Sequence, residues 1–277
     1  MSKILSLFKN FNGIKSQNNE KRSNDALSFL LGWNKKGNHF LSIVRSNFDT
    51  LNIWDVWNNR SVRSILMKGH DLITAAYNDK LDQVALLKMD RTISFYDIEY
   101  DIKLIETLDF QMQITGLKFT PDGESLLLVS EHNLYLYNLK NKTCSFLFHN
   151  KGTIASELLM PTQDGIYLID GKDLITIKYG FSPKRDSIFP DEIKYCCIDA
   201  KANLLFFVYS GSPSCLYMYD LKTNSINYLA KSTKAITGMT MHPDLPIIGM
   251  NYDLKRSSSG IFSFHYMELI GSVKNVA

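Results

Sequence analysis

From about residue 25 onward the chain alternates strand-length apolar runs with short polar turns. Residues 72–77, 83–88, 92–96 and 103–108 make one cycle of the pattern, four β-rich runs separated by turn-forming residues such as Asp90-Arg91. Within a run the alternation is direct: Leu134 and Leu136 interleave with Tyr135 and Tyr137. Apolar side chains therefore point to both sides of a sheet, and both sides need cover. The pattern predicts several small sheets stacked face to face.

The cycle recurs. An aromatic residue closes a β-rich run at Trp54, Tyr96, Tyr137, Tyr179, Tyr219 and Phe264, with successive gaps of 42, 41, 42, 40 and 45 residues. A second marker keeps phase with the first. It is a strand that ends in a tight polar turn, as in Phe119-Thr120-Pro121-Asp122-Gly123 and Met241-His242-Pro243-Asp244, where Pro presets φ and Asp-Gly accepts left-handed backbone. A period near 40 with four short strands per cycle is the pattern of a β-propeller. The expected fold is all-β, with six four-stranded blades at roughly 25–68, 69–110, 111–150, 151–190, 191–230 and 231–277. A seventh would need a partner or the N-terminal segment to complete the ring. Residues 1–24 form a separate extension, and residues 25–277 the propeller.

The repeats resemble the WD-repeat family. Gly69-His70 precedes Tyr96-Asp97 by a suitable gap, Ile53-Trp54-Asp55 is a literal Trp-Asp end, and residues 119–123 match that family's first inter-strand turn. The resemblance spans residues 25–277 with degenerate motifs, since one repeat keeps Trp-Asp and one keeps Gly-His. It implies a hydrogen-bond network in each blade that joins a loop His, a Ser/Thr on the second strand, an Asp in the following turn and a Trp on the third strand. The second repeat offers His70 and Asp90, but its second strand lacks a hydroxyl and Tyr96 replaces Trp. Read this way, the network is incomplete in every repeat. The resemblance also implies a scaffold whose loops and edges bind other protein subunits.

Charge changes the picture little. The formal net charge is +3, but residues 1–24 carry Lys3, Lys9, Lys15, Lys21 and Arg22 against Glu20, so the remainder is close to neutral. A broad electrostatic footprint for nucleic acid is not expected. Ile4, Leu5, Leu7, Phe8, Phe11 and Ile14 are spaced for an amphipathic helix, or for an edge strand over 5–11. Three readings stay open for the extension: a docked strand or helix, a membrane-surface or partner helix, and a mitochondrial transit peptide. Membrane contact is expected only there, because the longest apolar run elsewhere, 204–209, is far short of the ~18 residues of a membrane helix.

Cys144, Cys196, Cys197 and Cys215 include no Cys-x-x-Cys pair and suggest a reducing compartment, cytoplasmic or nuclear. Neither a metal nor a cofactor is expected. The six histidines fall at different phases of the repeat, and no Ser/His/Asp set or phosphate loop can be named. The expected function is a non-enzymatic protein–protein interaction scaffold within an intracellular assembly. The alternatives are a propeller enzyme or small-molecule binder, and a membrane-recruited adaptor. In a propeller the loops after the second and fourth strands of each blade share one face, which places Arg91, Phe110, His132 and Lys151 in a candidate protein-binding site.

Overall fold

The computed structural model describes residues 27–252 apart from 46–48, 56–57, 59, 67–70, 100–101, 233–234 and 245–247. The N-terminal extension, His70 and Phe264 lie outside the described residues. Strands β1 (Leu27–Trp33), β2 (His39–Arg45), β3 (Thr50–Asp55) and β4 (Arg60–Leu66) form the first blade. The second holds β5 (Leu72–Asn78), β6 (Gln83–Lys88), β7 (Thr92–Asp97) and β8 (Lys103–Asp109). The third holds β9 (Gly116–Phe119), β10 (Ser125–Ser130), β11 (Asn133–Asn138) and β12 (Cys144–His149). The fourth holds β13 (Leu159–Thr162), β14 (Gly165–Asp170), β15 (Asp173–Lys178) and β16 (Lys184–Ser187), and the fifth β17 (Ile193–Asp199), β18 (Leu204–Tyr209), β19 (Ser212–Asp220) and β20 (Ser225–Lys231). β21 (Ile236–Met241) pairs with β22 (Ile248–Tyr252) as a two-stranded sheet.

Each sheet is an antiparallel meander in sequence order, the blade arrangement of a β-propeller. Among the described residues five four-stranded blades are present rather than the six expected. In the sixth repeat the described residues supply two strands, and the rest of that repeat lies beyond them.

The described residues divide between two compact units, one within Gly69–Lys194 plus Tyr209–Gly211, the other within Met1–Lys68, Tyr195–Val208 and Ser212–Ala277. In the first, Ala85, Leu87, Ile93 and Phe95 of the second blade meet Leu117, Leu126, Leu128 and Tyr137 of the third. The opposite face of the third blade presents Leu127, Val129 and Leu134 to Ile166, Leu168, Ile175 and Ile177 of the fourth. In the second unit Phe206, Val208, Leu216 and Met218 pack with Ile236, Ile248 and Met250. Second strands such as β10 and β18 are apolar almost throughout because both faces are covered, whereas the outermost β8 and β20 are mostly exposed.

The aromatic marker proves to be the second-to-last residue of each third strand: Trp54, Tyr96, Tyr137 and Tyr219. In the fourth blade that place belongs to Ile177, which is buried, and not to Tyr179, which lies just beyond β15 and is 38% exposed. A two-residue offset was hidden because aliphatic and aromatic side chains fill the same slot. In the first blade, buried Trp54 donates from Nε1 to Ser42 Oγ at 3.2 Å, tying β3 to β2. Ser42 is the second-strand hydroxyl of the network that the resemblance implies, so the first blade carries that network's Trp–hydroxyl bond. Trp54→Phe leaves that hydroxyl buried without its donor, and should cost about 1–3 kcal/mol in urea unfolding. Wild-type stability in the variant would refute the tie.

The pairing of the third and fourth strands slips by one residue in four blades. Ile53 faces Arg63 while Trp54 faces Ser61, and Phe95 faces Glu106 while Tyr96 faces Leu104. Leu134 and Tyr135 face Phe148 and Phe146, and Leu216 and Tyr217 face Ala230 and Tyr228. The extra residue is aliphatic each time: Val62, Ile105, Leu147 and Leu229. The fourth blade pairs β15 with β16 in regular register.

Candidate protein-binding face

In the unit formed by the second to fourth blades, one end collects the turns β6–β7, β10–β11 and β14–β15 and the loops that leave β8, β12 and β16. Each loop is fastened to the turn of its own blade by main-chain bonds. Phe110 N donates to Arg91 O at 3.4 Å, Asn150 N to His132 O at 2.7 Å, and Phe189 N to Lys172 O at 3.0 Å. Each loop is thus held to the turn of its own blade, with Phe110, Asn150 and Phe189 buried beneath it.

At the β6–β7 turn Asp90 Oδ1 accepts from Thr92 N at 2.9 Å and from Thr92 Oγ1 at 2.7 Å, a side-chain turn that draws the chain round. These two bonds, the hydroxyl first, hold the Asp90 carboxyl below its ordinary range. Arg91 follows at φ 70° with its side chain exposed, and Met89 beside it is 70% exposed. Met and Arg are residue types enriched where proteins meet.

Phe110 is not part of this surface. It is buried, and its ring meets Tyr137 edge-on with centroids 5.2 Å apart, closing the seam between the second and third blades. This corrects its expected place among the outward-facing loop residues. Its apolar side chain is worth more under the loop than on it.

His132 lies in the β10–β11 turn, its Nε2 3.4 Å from Glu131 Oε1 and its ring 6.3 Å from that of His149. His149 Nδ1 in turn meets Asn133 Oδ1 at 2.9 Å. Lys151 is exposed in the next loop, one residue after Asn150. Arg91, His132 and Lys151 therefore share one end of one unit.

Sequence reasoning missed a polar cluster at the matching seam between the third and fourth blades. Arg185 Nη1 donates to Asp170 Oδ2 at 2.9 Å and Asp173 Oδ2 at 2.8 Å, and Nη2 donates to Asn150 Oδ1 at 2.5 Å. Asn150, which is 1% exposed, holds the position that Phe110 and Phe189 hold in neighbouring blades. Its Nδ2 donates to Gly152 O at 3.0 Å, so the guanidinium braces the loop that carries Lys151. The bond from Arg185 is the main cause that holds the Asp173 carboxyl below its ordinary range, and the same bond raises Arg185 further above its own. The pair Asp170-x-x-Asp173 around a Gly-Lys turn was visible in the sequence, but the distance to Asn150 was not.

No three His, Cys, Asp or Glu side chains gather into a metal site among the described residues. None of the described helices is long and apolar enough to cross a membrane, which says nothing of strands. No protein-family model matches the chain, and a search of curated proteins returns no relative.

Proposed function

We propose that this protein is a non-enzymatic, WD-repeat-like interaction scaffold, a subunit of an intracellular protein assembly. The observation that carries the reading is the braced loop end of the second to fourth blades. Its main chain is engaged by hydrogen bonds beneath, while Met89, Arg91, His132 and Lys151 are left to meet a partner. A rigid surface loses little entropy on binding, which favours recognition. Mixed charge with an exposed Met suits a protein surface better than a nucleic-acid backbone. The WD-like part of the reading draws support from the Trp54–Ser42 bond and from the Asp90 turn.

The test is a pull-down from a lysate of the native host with the wild-type protein and an R91E/K151E double variant. Both side chains are exposed, so the fold should survive the change. Reversed charge at a complementary surface should lower partner recovery on the order of tenfold. Equal recovery of every partner with the two proteins would remove this end as the binding face.

A further inference from the structure

His242 is a buried histidine that the scaffold reading does not use. It follows β21 and is 5% exposed, with its ring 4.8 Å from that of Trp33 on β1. Both of its nitrogens are engaged, and in opposite senses. Nδ1 accepts the backbone N–H of Asp244 at 3.1 Å, so it must carry a lone pair. Nε2, 3.0 Å from the Gly37 carbonyl, must therefore be the N–H that donates. Only the neutral ring with its proton on Nε2 satisfies both partners.

The contact joins the β1–β2 turn to the β21–β22 turn, two places 205 residues apart in the chain but within one compact unit. Gly37 has φ +66°, and a Cβ there would lie 2.2 Å from the imidazole, so the turn is shaped around this ring. Beneath it, a Cβ on Gly32 would meet Thr240 and one on Gly249 would meet Trp33, both at ordinary contact distance. The joint is tight and has one titratable group at its centre.

We propose that His242 is a pH-operated clasp between β1 and β21, closed while the ring is neutral and released when Nδ1 takes up a proton. A proton on Nδ1 points at the Asp244 N–H, turning that bond into a clash of two donors. Among the described residues the charged and titratable groups of the clasp's elements are Lys35, Lys36 and His39 in and beside the β1–β2 turn and Asp244 on its own turn, with Lys201 reaching in from the fifth blade. Lys201 Nζ is tied to Pro243 O at 2.9 Å and reaches Asp244 Oδ1 at 3.4 Å, so the Asp244 carboxylate is already shared with a cation. Burial, the largest influence, lowers the His242 pKa from its ordinary value, with the Gly37 and Asp244 contacts acting the other way. A histidine depressed on folding binds fewer protons in the closed state. Its contribution is complete above about pH 6.5 and is lost as pH falls below that value. Release uncovers Trp33, now 4% exposed.

Hydrogen exchange read by mass spectrometry tests the clasp on the full chain at pH 7.5, 6.0 and 5.0, after correction for intrinsic rates. Peptides over Leu27–Trp33 and Ile236–Met241 should exchange faster by up to about tenfold per pH unit below about 6.5. Peptides over Gln83–Lys88 and Gly165–Asp170 serve as controls in the same molecule and should not accelerate. His242→Gln keeps a donor and an acceptor but does not titrate, and should abolish the difference. The proposal fails if clasp and control peptides accelerate alike, or if H242Q keeps the acid response. Should H242Q not fold, the comparison of peptides in the wild-type chain decides alone.

Discussion

Gly165→Ala should melt roughly 10 °C below the wild-type protein, a loss of about 3–5 kcal/mol in the unit that contains the fourth blade. Gly165 opens β14 with φ +152°, in the region where a side chain is strained from the start. A Cβ built there lies 2.2 Å from the Ile177 carbonyl oxygen and 3.0 Å from Lys178 Cα. Those are main-chain atoms of the strand with which Gly165 pairs, so no rotamer change relieves the overlap. The chain can yield only by parting the end of β14 from β15. That movement would also pull on the bond from Thr162 Oγ1 to Gly165 O, 3.0 Å long, and hence on β13. Thermal melting followed by circular dichroism gives the answer, and a variant that melts within 2 °C of wild type would show that the turn has room.

Phe206→Ala should cost about 3–5 kcal/mol, the loss expected when a large ring is removed from a closed core. Phe206 on β18 has no solvent exposure and packs among Cys197, Val208, Leu216, Met218, Ile236, Ile248 and Met250. It touches both the fifth blade and the two-stranded sheet, so exchange should rise in Ile236–Met241 as well as in its own blade. Phe146→Ala provides the contrast. Phe146 is 59% exposed on β12, and its removal should stay within about 0.5 kcal/mol. Urea midpoints for the two variants that come out equal would mean that this core is not packed as described.

The strands of the second blade were legible almost residue by residue, because each apolar run is bounded by turn chemistry that acts locally. Asp90 and Thr92 close their turn across two residues, and such short-range bonds are written in the sequence. Tyr179 misled for the opposite reason. Its slot demands bulk rather than an aromatic ring, and Ile177 supplies it. Phe110 misled because its loop position suggested exposure, whereas the seam beneath the loop needed a plug. The Arg185 cluster could not be read at all, since its partner Asn150 lies 35 residues away and is brought near only when blades stack. Ser42 was within reach, twelve residues before Trp54 on the neighbouring strand, but the two become a pair only once the register of β2 and β3 is known. In the candidate site, then, the residue types were legible and their orientations were not. Orientation depends on contacts between blades, which lie about 40 residues apart in the chain.

The slipped residue in the outer strands has a consequence for the protein in concentrated solution. An outermost strand with regular spacing offers a row of free donors and acceptors, a template on which another chain can add and start a fibre. At Val62, Ile105, Leu147 and Leu229 the spacing is broken by one extra residue, so an incoming strand cannot stay in register along the whole of β4, β8, β12 or β20. The fourth blade lacks the slip, but its outer strand is four residues long and carries Lys184, Arg185 and Asp186 in succession. Two different devices thus guard the rims, irregular spacing on the first, second, third and fifth blades and charge with brevity on the fourth, and both resist sheet-to-sheet aggregation.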